Sequence, residues 1–270
     1  RHAAQLMSTA PLLGRGIRVG ANFRDAFWPD EPTLEMLDAT TGDVPTYLIN
    51  ADLHSVWLNS AAFAREEITP PDGSGMLREE PAFEISRRLA AATPDIADAA
   101  VADLARHAAS RGVVGIVDLD MAWNADAWSR RLAAGIDSLR AEFGTYPSQL
   151  GRLIETGWRS GDRLSELVTV GPLKVITDGS LGTRTAACSH PYPGDPHNHG
   201  VLTIPPAELV ALMTDATAHG ISCAIHAIGD LANTHALDAF AATGATGTIE
   251  HAQLVAAVDI PRFARIGVGA

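Results

Sequence analysis

The sequence has 270 residues, of which 46% are hydrophobic and 6% aromatic, and its formal net charge is −12. This length suits one large α/β domain or two small ones. The acidic balance argues against nucleic acid and against an anionic membrane surface as partners. The sequence contains no apolar run of about 18 residues, and its two cysteines, Cys188 and Cys223, cannot form a disulfide framework. We therefore expect no membrane segment and a reducing, cytoplasmic location.

Short elements of mixed type are predicted for the first part of the chain, where turn residues interrupt the apolar runs. They are a helix at residues 1–14 closed by Gly14, a strand at 16–21, a helix that starts at 32–37 with Pro32 in its first turn, an extended run at 44–49, and an irregular loop at 66–83.

From residue 81 onward, helical segments alternate with short apolar strands. The predicted helices are 81–110 with a break at Pro94, 125–134, 148–158, 205–219, 231–243 and 259–266. The predicted strands begin at Val113, Leu139, Leu173, Ser222, Gly247 and Ile266, and we expect Val113–Val117 to be buried. This alternation predicts a parallel β/α architecture, with about six of the eight strands of a closed (β/α)8 barrel.

Three of these strands end in chemically useful side chains. Lys174 lies in the apolar stretch that leads to Gly182, His226 lies in Ile221–Asp230, and His251 lies in Thr248–Gln253. A lysine inside a buried strand is costly unless it is neutralised, paired or chemically used. Because the carboxyl ends of parallel strands meet at one end of a barrel, the three side chains indicate an active site there.

The residue types alone leave several chemistries open. Neutral imidazole is a common zinc ligand, and two histidines on neighbouring strands suit one metal. Lysine can become a metal-bridging carbamate after reaction with CO2, or it can act in Schiff-base or proton-transfer chemistry. The alternative is structural: strand-end histidines satisfied by the fold and a lysine whose ammonium reaches solvent.

Six stretches together resemble the amidohydrolase superfamily, and specifically its amidohydrolase family 3 branch, which includes N-substituted formamide deformylase-like enzymes and relatives of D-aminoacylase. The resemblance extends from about residue 32 to residue 270. The stretches are DLHSVWLNSAAF from Asp52, SGMLREE from Ser74, RGVVGIVDLD from Arg111, LKVITDGSLGTRTA from Leu173, HAIGD from His226 and IEHAQ from Ile249.

This resemblance implies a distorted (β/α)8 barrel that binds one or two divalent metal ions, with zinc the expected metal. Lys174 matches the family's fourth-strand lysine, which is carboxylated in many relatives, and His226 and His251 match its fifth- and sixth-strand histidine ligands. The expected substrate-binding residues are His54, Trp57, Asn59, Asp178, Ser180 and Arg184. For His54 the alternative is a ring satisfied by its own loop; for Arg184 it is a salt bridge that braces the loop, instead of a clamp on a substrate carboxylate.

The sequence also departs from the family pattern. The first-strand His-x-His pair is missing; His197 and His199 have its spacing but follow the fourth strand. The eighth-strand aspartate and the terminal β-sandwich are missing too. We therefore expect residues 1–270 to be an internal portion of one incomplete barrel in a longer protein. Residues 15–82 would form an excursion between the first and second barrel strands, and the segment alone would be inactive.

The expected function is metal-dependent hydrolysis of a C–N bond in an amide, an N-substituted formamide or a cyclic amide by metal-activated water. One alternative is a hydrolase of esters or other carbonyl compounds on the same site. Another is a barrel without catalysis that serves as a binding or structural subunit. The expected partner is a small-molecule amide-type substrate, and a homodimer is compatible with the sequence.

Overall fold

The chain folds into two compact units. A computed structural model describes residues 1–13, 16–90 and 94–270, so the predicted helix end at Gly14 lies outside the described residues. Unit 1 comprises Arg1–Ala91 and Ser180–Thr185, and unit 2 comprises Ala92–Gly179 and Ala186–Ala270. Among the residues that the structure describes, no helix has the length and apolar character needed to cross a membrane.

Unit 1 is built on a mixed four-stranded sheet in the order β1-β2-β3-β4. The first two strands are parallel, and the other two pairings are antiparallel. The strands are β1 (Arg18–Phe23), β2 (Thr46–Asn50), β3 (Ser55–Leu58) and β4 (Met76–Arg78), and the helices are α1 (His2–Thr9), α2 (Leu34–Thr41), α3 (Ser60–Glu66) and α4 (Glu80–Ala90).

The helix starts of unit 1 follow from local capping chemistry. The Thr33 side chain accepts a hydrogen bond from the Met36 N–H and caps α2, so Pro32 precedes the cap and does not lie in the first turn.

The predicted loop at 66–83 is partly wrong, because it contains β4 and the start of α4. Strand β3 was not predicted, because polar residues surround its short apolar run.

Unit 2 is an α/β unit whose five strands are all parallel, in the order β5-β6-β7-β8-β9, and curl into a half-barrel. This confirms the predicted parallel β/α architecture at that level. The strands are β5 (Gly115–Asp118), β6 (Arg140–Thr145), β7 (Val168–Ile176), β8 (Cys223–Ala227) and β9 (Gly247–His251), and the helices are α5 (Pro94–Ser110), α6 (Asn124–Ala133), α7 (Leu150–Thr156), α8 (Pro206–Ala218), α9 (Asp230–Thr243) and α10 (Ile260–Ile266).

The hydrophobic core of unit 2 lies on one face of this sheet. Leu173, Val175, Cys223, Ile225 and Ile249 are each fully buried and belong to one cluster with apolar residues of the helices. Successive side chains of a strand point to opposite faces. The residues between these core positions therefore face the other side of the sheet, where the three predicted site strands carry polar groups.

Two strand predictions for unit 2 need correction. The apolar side chains of β5 are exposed, with Ile116 and Val117 at 37% and 57%, because β5 lies at the sheet edge and pairs with β6 on one side. The strand predicted from Ile266 onward is reduced to one parallel bridge between Thr248 and Gly269, since α10 continues to Ile266.

Candidate metal centre

Strand register places the predicted lysine and the first predicted histidine on one face of the sheet. Lys174 pairs with Ala224, and His226 pairs with Glu250, so all four side chains point the same way. Lys174 lies two residues before the level of His226, a separation of about 7 Å along the strands.

The ring of His251 lies next to that of His226, and the backbone at His251 is left-handed. It pairs with Ala227, so strict alternation would place its ring on the opposite face from His226. His251 and Ala252 instead adopt positive φ angles of 74° and 42° at the end of β9. The His251 ring centroid lies 4.7 Å from that of His226, with an interplanar angle of 72°. Left-handed backbone at residues other than glycine costs energy and clusters at functional sites.

The ring and the backbone of His226 are both held by the segment that follows β7. Thr177 donates to the His226 carbonyl oxygen from its N–H (3.1 Å) and from its hydroxyl (2.5 Å). The His226 Nε2 lies 3.1 Å from the Gly179 carbonyl oxygen. Because a carbonyl oxygen only accepts, Nε2 carries the proton, and in the neutral ring Nδ1 carries the lone pair that a metal needs.

Lys174 is buried, with 5% of its surface exposed. Burial lowers the pKa of its amine to about 8 from an ordinary 10.5, and the negative charge of Glu250 acts in the opposite direction. Lys174 is also the only lysine in the sequence, since the other 19 basic side chains are arginines. A pKa near 8 leaves part of the amine neutral at physiological pH, and the neutral amine is the form that reacts with CO2.

These groups fit a divalent metal ion in their donor chemistry. Two imidazoles lie ring to ring, and a lysine on the same face as His226 becomes an anionic oxygen donor when it is carboxylated. Within residues 1–13, 16–90 and 94–270, no cluster of three histidine, cysteine or acidic side chains suits a metal. Lys174 as a carboxylated third ligand therefore stays a prediction.

In unit 1, His54 forms a histidine–carboxylate pair. It is 8% exposed, and its Nδ1 lies 3.0 Å from the Glu79 Oε2. The Asp52 carboxylate accepts the His54 N–H at 2.9 Å, and the Phe83 ring packs edge-on at a centroid distance of 5.4 Å. A carboxylate on one ring nitrogen fixes the tautomer and orientation of an imidazole.

Trp57 and Asn59 are fully buried in unit 1. Trp57 packs on Trp28 with ring centroids 6.0 Å apart. Asn59 is the N-cap of α3: its Oδ1 accepts from the N–H groups of Thr46 and Ala62 at 3.0 and 2.9 Å. These contacts give both residues structural tasks, while their predicted substrate contacts stay predictions.

The other predicted substrate residues follow β7. Asp178 belongs to unit 2 and is fully buried, with its carboxylate bound by backbone N–H groups. Ser180 and Arg184 belong to unit 1. The Ser180 hydroxyl donates to Asp52 at 2.7 Å, and Arg184 lines a cavity of about 220 Å³ with Arg78. Their roles at the substrate stay predictions.

Sequence reasoning missed two carboxylates: Glu250, which precedes His251 in the chain, and Glu79, which pairs with His54. Glu250 was visible as the residue before His251, and its spacing from Thr248 places both on the face that carries His226; the Thr248 hydroxyl donates to it at 2.5 Å. Glu79 lies in the quoted SGMLREE stretch, but nothing in the sequence connects it to His54, which is 25 residues away.

Two solved structures share this fold. Both are described as uncharacterized metal-dependent hydrolases, and both are 27% identical to this chain. The Pyrococcus furiosus protein has a TM-score of 0.71 and matches 99% of this chain and 57% of its own. The Pyrococcus horikoshii OT3 protein has a TM-score of 0.74 and matches 98% of this chain and 55% of its own.

Curated sequences give the same picture. "Protein LONG AFTER FAR-RED 3" of Arabidopsis thaliana is 26% identical over 93% of this chain, and "Putative amidohydrolase YtcJ" of Bacillus subtilis (strain 168) is 28% identical over 89%. Each match covers 49% of the relative, so the chain spans about half the length of these proteins. The sequence pattern described as "Amidohydrolase family" matches residues 8–270. With its motifs, fold and relatives in agreement, the chain belongs to the amidohydrolase family, in the family 3 branch.

Proposed function

We propose that the whole protein is a metal-dependent hydrolase that cleaves a C–N bond in an amide, an N-substituted formamide or a cyclic amide. The observation that carries the proposal is the single, buried lysine on the same sheet face as His226, with His251 turned back towards that ring. The name of YtcJ and the descriptions of the two archaeal structures support it.

Lys174 as a carbamate, His226 through Nδ1, and His251 would hold one or two divalent ions, and we propose zinc. When bound, such an ion supplies Lewis acidity, which polarises a carbonyl group and makes water a nucleophile at neutral pH. We also propose that residues 1–270 belong to a longer (β/α)8 barrel protein in which 15–82 form an inserted excursion.

Lys174 would acquire the required modification by reaction with CO2 from solution. Its neutral amine would attack CO2, a C–N bond would form as one C=O π bond breaks, and the proton lost from the nitrogen would pass to water. The low pKa that burial imposes favours the neutral amine, and His226, on the same sheet face, would bind the metal that stabilises the carbamate. We propose that His54, Trp57, Asn59, Asp178, Ser180 and Arg184 contact the substrate.

The modification is directly measurable. Whole protein equilibrated with ¹³C-bicarbonate and zinc should give a lysine carbamate resonance that Lys174→Ala removes. Lys174→Ala and His226→Ala should each lose bound metal and turnover, whereas His219→Ala, at an exposed position after α8, should retain both. Wild-type metal content and turnover in both Lys174→Ala and His226→Ala would overturn the proposal.

Two alternatives have their own tests. A hydrolase of esters or other carbonyl compounds would cleave an ester panel and leave amides and formamides intact. A binding or structural subunit would show no turnover of either panel in the metal-loaded whole protein. We further propose a cytoplasmic location and a homodimer, to be checked by cell fractionation and by light scattering.

A further inference from the structure

The Asp178 carboxylate is bound by main-chain donors, an environment that contact with a substrate does not explain. Its side chain is fully buried. Its Oδ1 accepts the Ile228 N–H at 3.0 Å, and its Oδ2 accepts the N–H groups of Gly229 at 2.8 Å and Ala187 at 2.9 Å. A buried carboxylate is tolerated when such donors replace its water shell. Every one of these donors is a main-chain N–H group. The three hydrogen bonds therefore depend on the backbone conformation of the loops and on the negative charge of Asp178.

The three donors come from two loops that meet at the site. Ala187 lies in the segment after β7, and Ile228 and Gly229 follow β8 directly. The two segments approach so closely that a Cβ at Gly229 would lie 1.9 Å from the Ala187 carbonyl oxygen. The Ala187 carbonyl also accepts the N–H of Leu231 at the start of α9, at 3.2 Å. Asp178 is therefore the polar centre of a tightly packed junction between the ends of β7 and β8.

This junction also touches the imidazole of His226. The Asp178 Oδ1 lies 3.4 Å from the His226 Nε2, and the neighbouring Gly179 carbonyl accepts from the same nitrogen at 3.1 Å. Thr177, on the other side of Asp178, holds the His226 carbonyl oxygen. Three consecutive residues thus bind His226 at both its backbone and its ring.

We infer that Asp178 is a positioning residue for His226. By anchoring residues 177–179 to the loop after β8, it keeps the Gly179 carbonyl oxygen as the acceptor of the Nε2–H and so presents Nδ1 as the ligand nitrogen. The negative charge beside Nε2–H also makes Nδ1 a stronger donor, as carboxylates behind metal-binding histidines do. The ligand role rests on the proposed function, whereas the choice of tautomer does not.

The tautomer is the first measurement. In metal-free, ¹⁵N-histidine-labelled whole protein, the neutral His226 ring should give the Nε2–H tautomer. The signal is assigned by its loss in His226→Gln. A wild-type His226 with its proton on Nδ1 overturns the inference, and this arm needs neither a folded Asp178 variant nor a bound metal.

The variant Asp178→Asn then tests the cause. An amide NH2 must face backbone N–H donors in either orientation, so the anchor fails while the side-chain size is kept. We expect a mixture of His226 tautomers and a loss of Zn²⁺ affinity of roughly 10- to 100-fold, read by competition with a chelating dye.

Asp230→Asn is the matched control. Asp230 also joins α9 to the loop after β7, and its carboxylate is engaged by the Ser189 N–H at 2.9 Å and by the Ser189 hydroxyl. It should keep the wild-type tautomer and Zn²⁺ affinity. Equal losses in both variants would overturn the inference, because loop anchoring in general would explain them; an Asp178→Asn protein with wild-type tautomer and affinity would overturn it as well. A wild type that binds no Zn²⁺ counts against the proposed function, while the tautomer result still decides the role of Asp178.

Discussion

Replacing Lys174 with methionine should stabilise the metal-free, CO2-free protein at neutral pH. The lysine is 5% exposed, and burial lowers its pKa to about 8 in the folded state, compared with 10.5 in the unfolded chain. Each unit of pKa difference corresponds to about 1.4 kcal/mol, so these two pKa values correspond to about 3 kcal/mol. Methionine has a similar length and no charge, and it therefore removes this cost.

The sign of the pH dependence follows from proton binding. Between pH 8 and 10.5 the unfolded chain holds the lysine proton more tightly than the folded protein, so the stability of the wild type rises with pH in this range. Below pH 8 both states are protonated and the full cost is present. The advantage of Lys174→Met should thus be about 3 kcal/mol at pH 7 and about 1 kcal/mol at pH 10.

Urea unfolding at both pH values, with chelator present and CO2 removed, measures this difference. Lys174→Gln is the control for polarity. Its free energy of unfolding can differ from that of Lys174→Met by any constant amount, but the two variants should show the same pH dependence. A gap between wild type and Lys174→Met that stays constant from pH 7 to pH 10 would refute the reasoning, because the cost would then come from packing and not from charge.

Three further predictions concern the packing around the site and in unit 1. Gly229→Ala should lower the free energy of unfolding by about 2–3 kcal/mol or more in urea titrations, because the new Cβ collides with the Ala187 carbonyl; a loss below about 0.5 kcal/mol would contradict the close contact. Asn59→Ala should cost about 3 kcal/mol, since it removes a cap and leaves buried partners unpaired, whereas Thr33→Ala should cost about 1 kcal/mol; equal costs in the same titration would argue against this difference. Burial raises the pKa of the Cys223 thiol to about 12, so a disulfide reagent at pH 8 should label it only after unfolding, and fast labelling of the native protein would show that the thiol is accessible.

The parallel sheet and the three candidate ligands were predictable because each has a local signal. Short apolar strands alternate with helices, and Lys174, His226 and His251 stand within or at the ends of three of these strands. The pairing register of β7 and β8 places Lys174 and His226 on the same face of the sheet. The sequence alone shows only that side chains alternate between faces every second residue, and not how two strands are aligned.

Other features depend on contacts that no local pattern records. The exposure of β5 follows from its place at the sheet edge, while its apolar letters predict burial. The anchor of Asp178 joins residues 50 positions apart, and its donors are backbone groups, which have no signature in the sequence. The turn that brings His251 back to His226 is made by two residues other than glycine, where sequence rules expect no left-handed backbone.

The placement of the candidate ligands in the sheet order has a consequence for local unfolding. Strands β7 and β8, which carry Lys174 and His226, are each hydrogen-bonded to neighbours on both sides, whereas β5 is paired on one side. Amide exchange starts where a protein opens most easily, and sheet edges open before the centre. The backbone of β5 should therefore exchange earliest in this sheet and that of β7 and β8 latest. Lys174 and His226 would then keep their relative positions while β5 detaches in local unfolding.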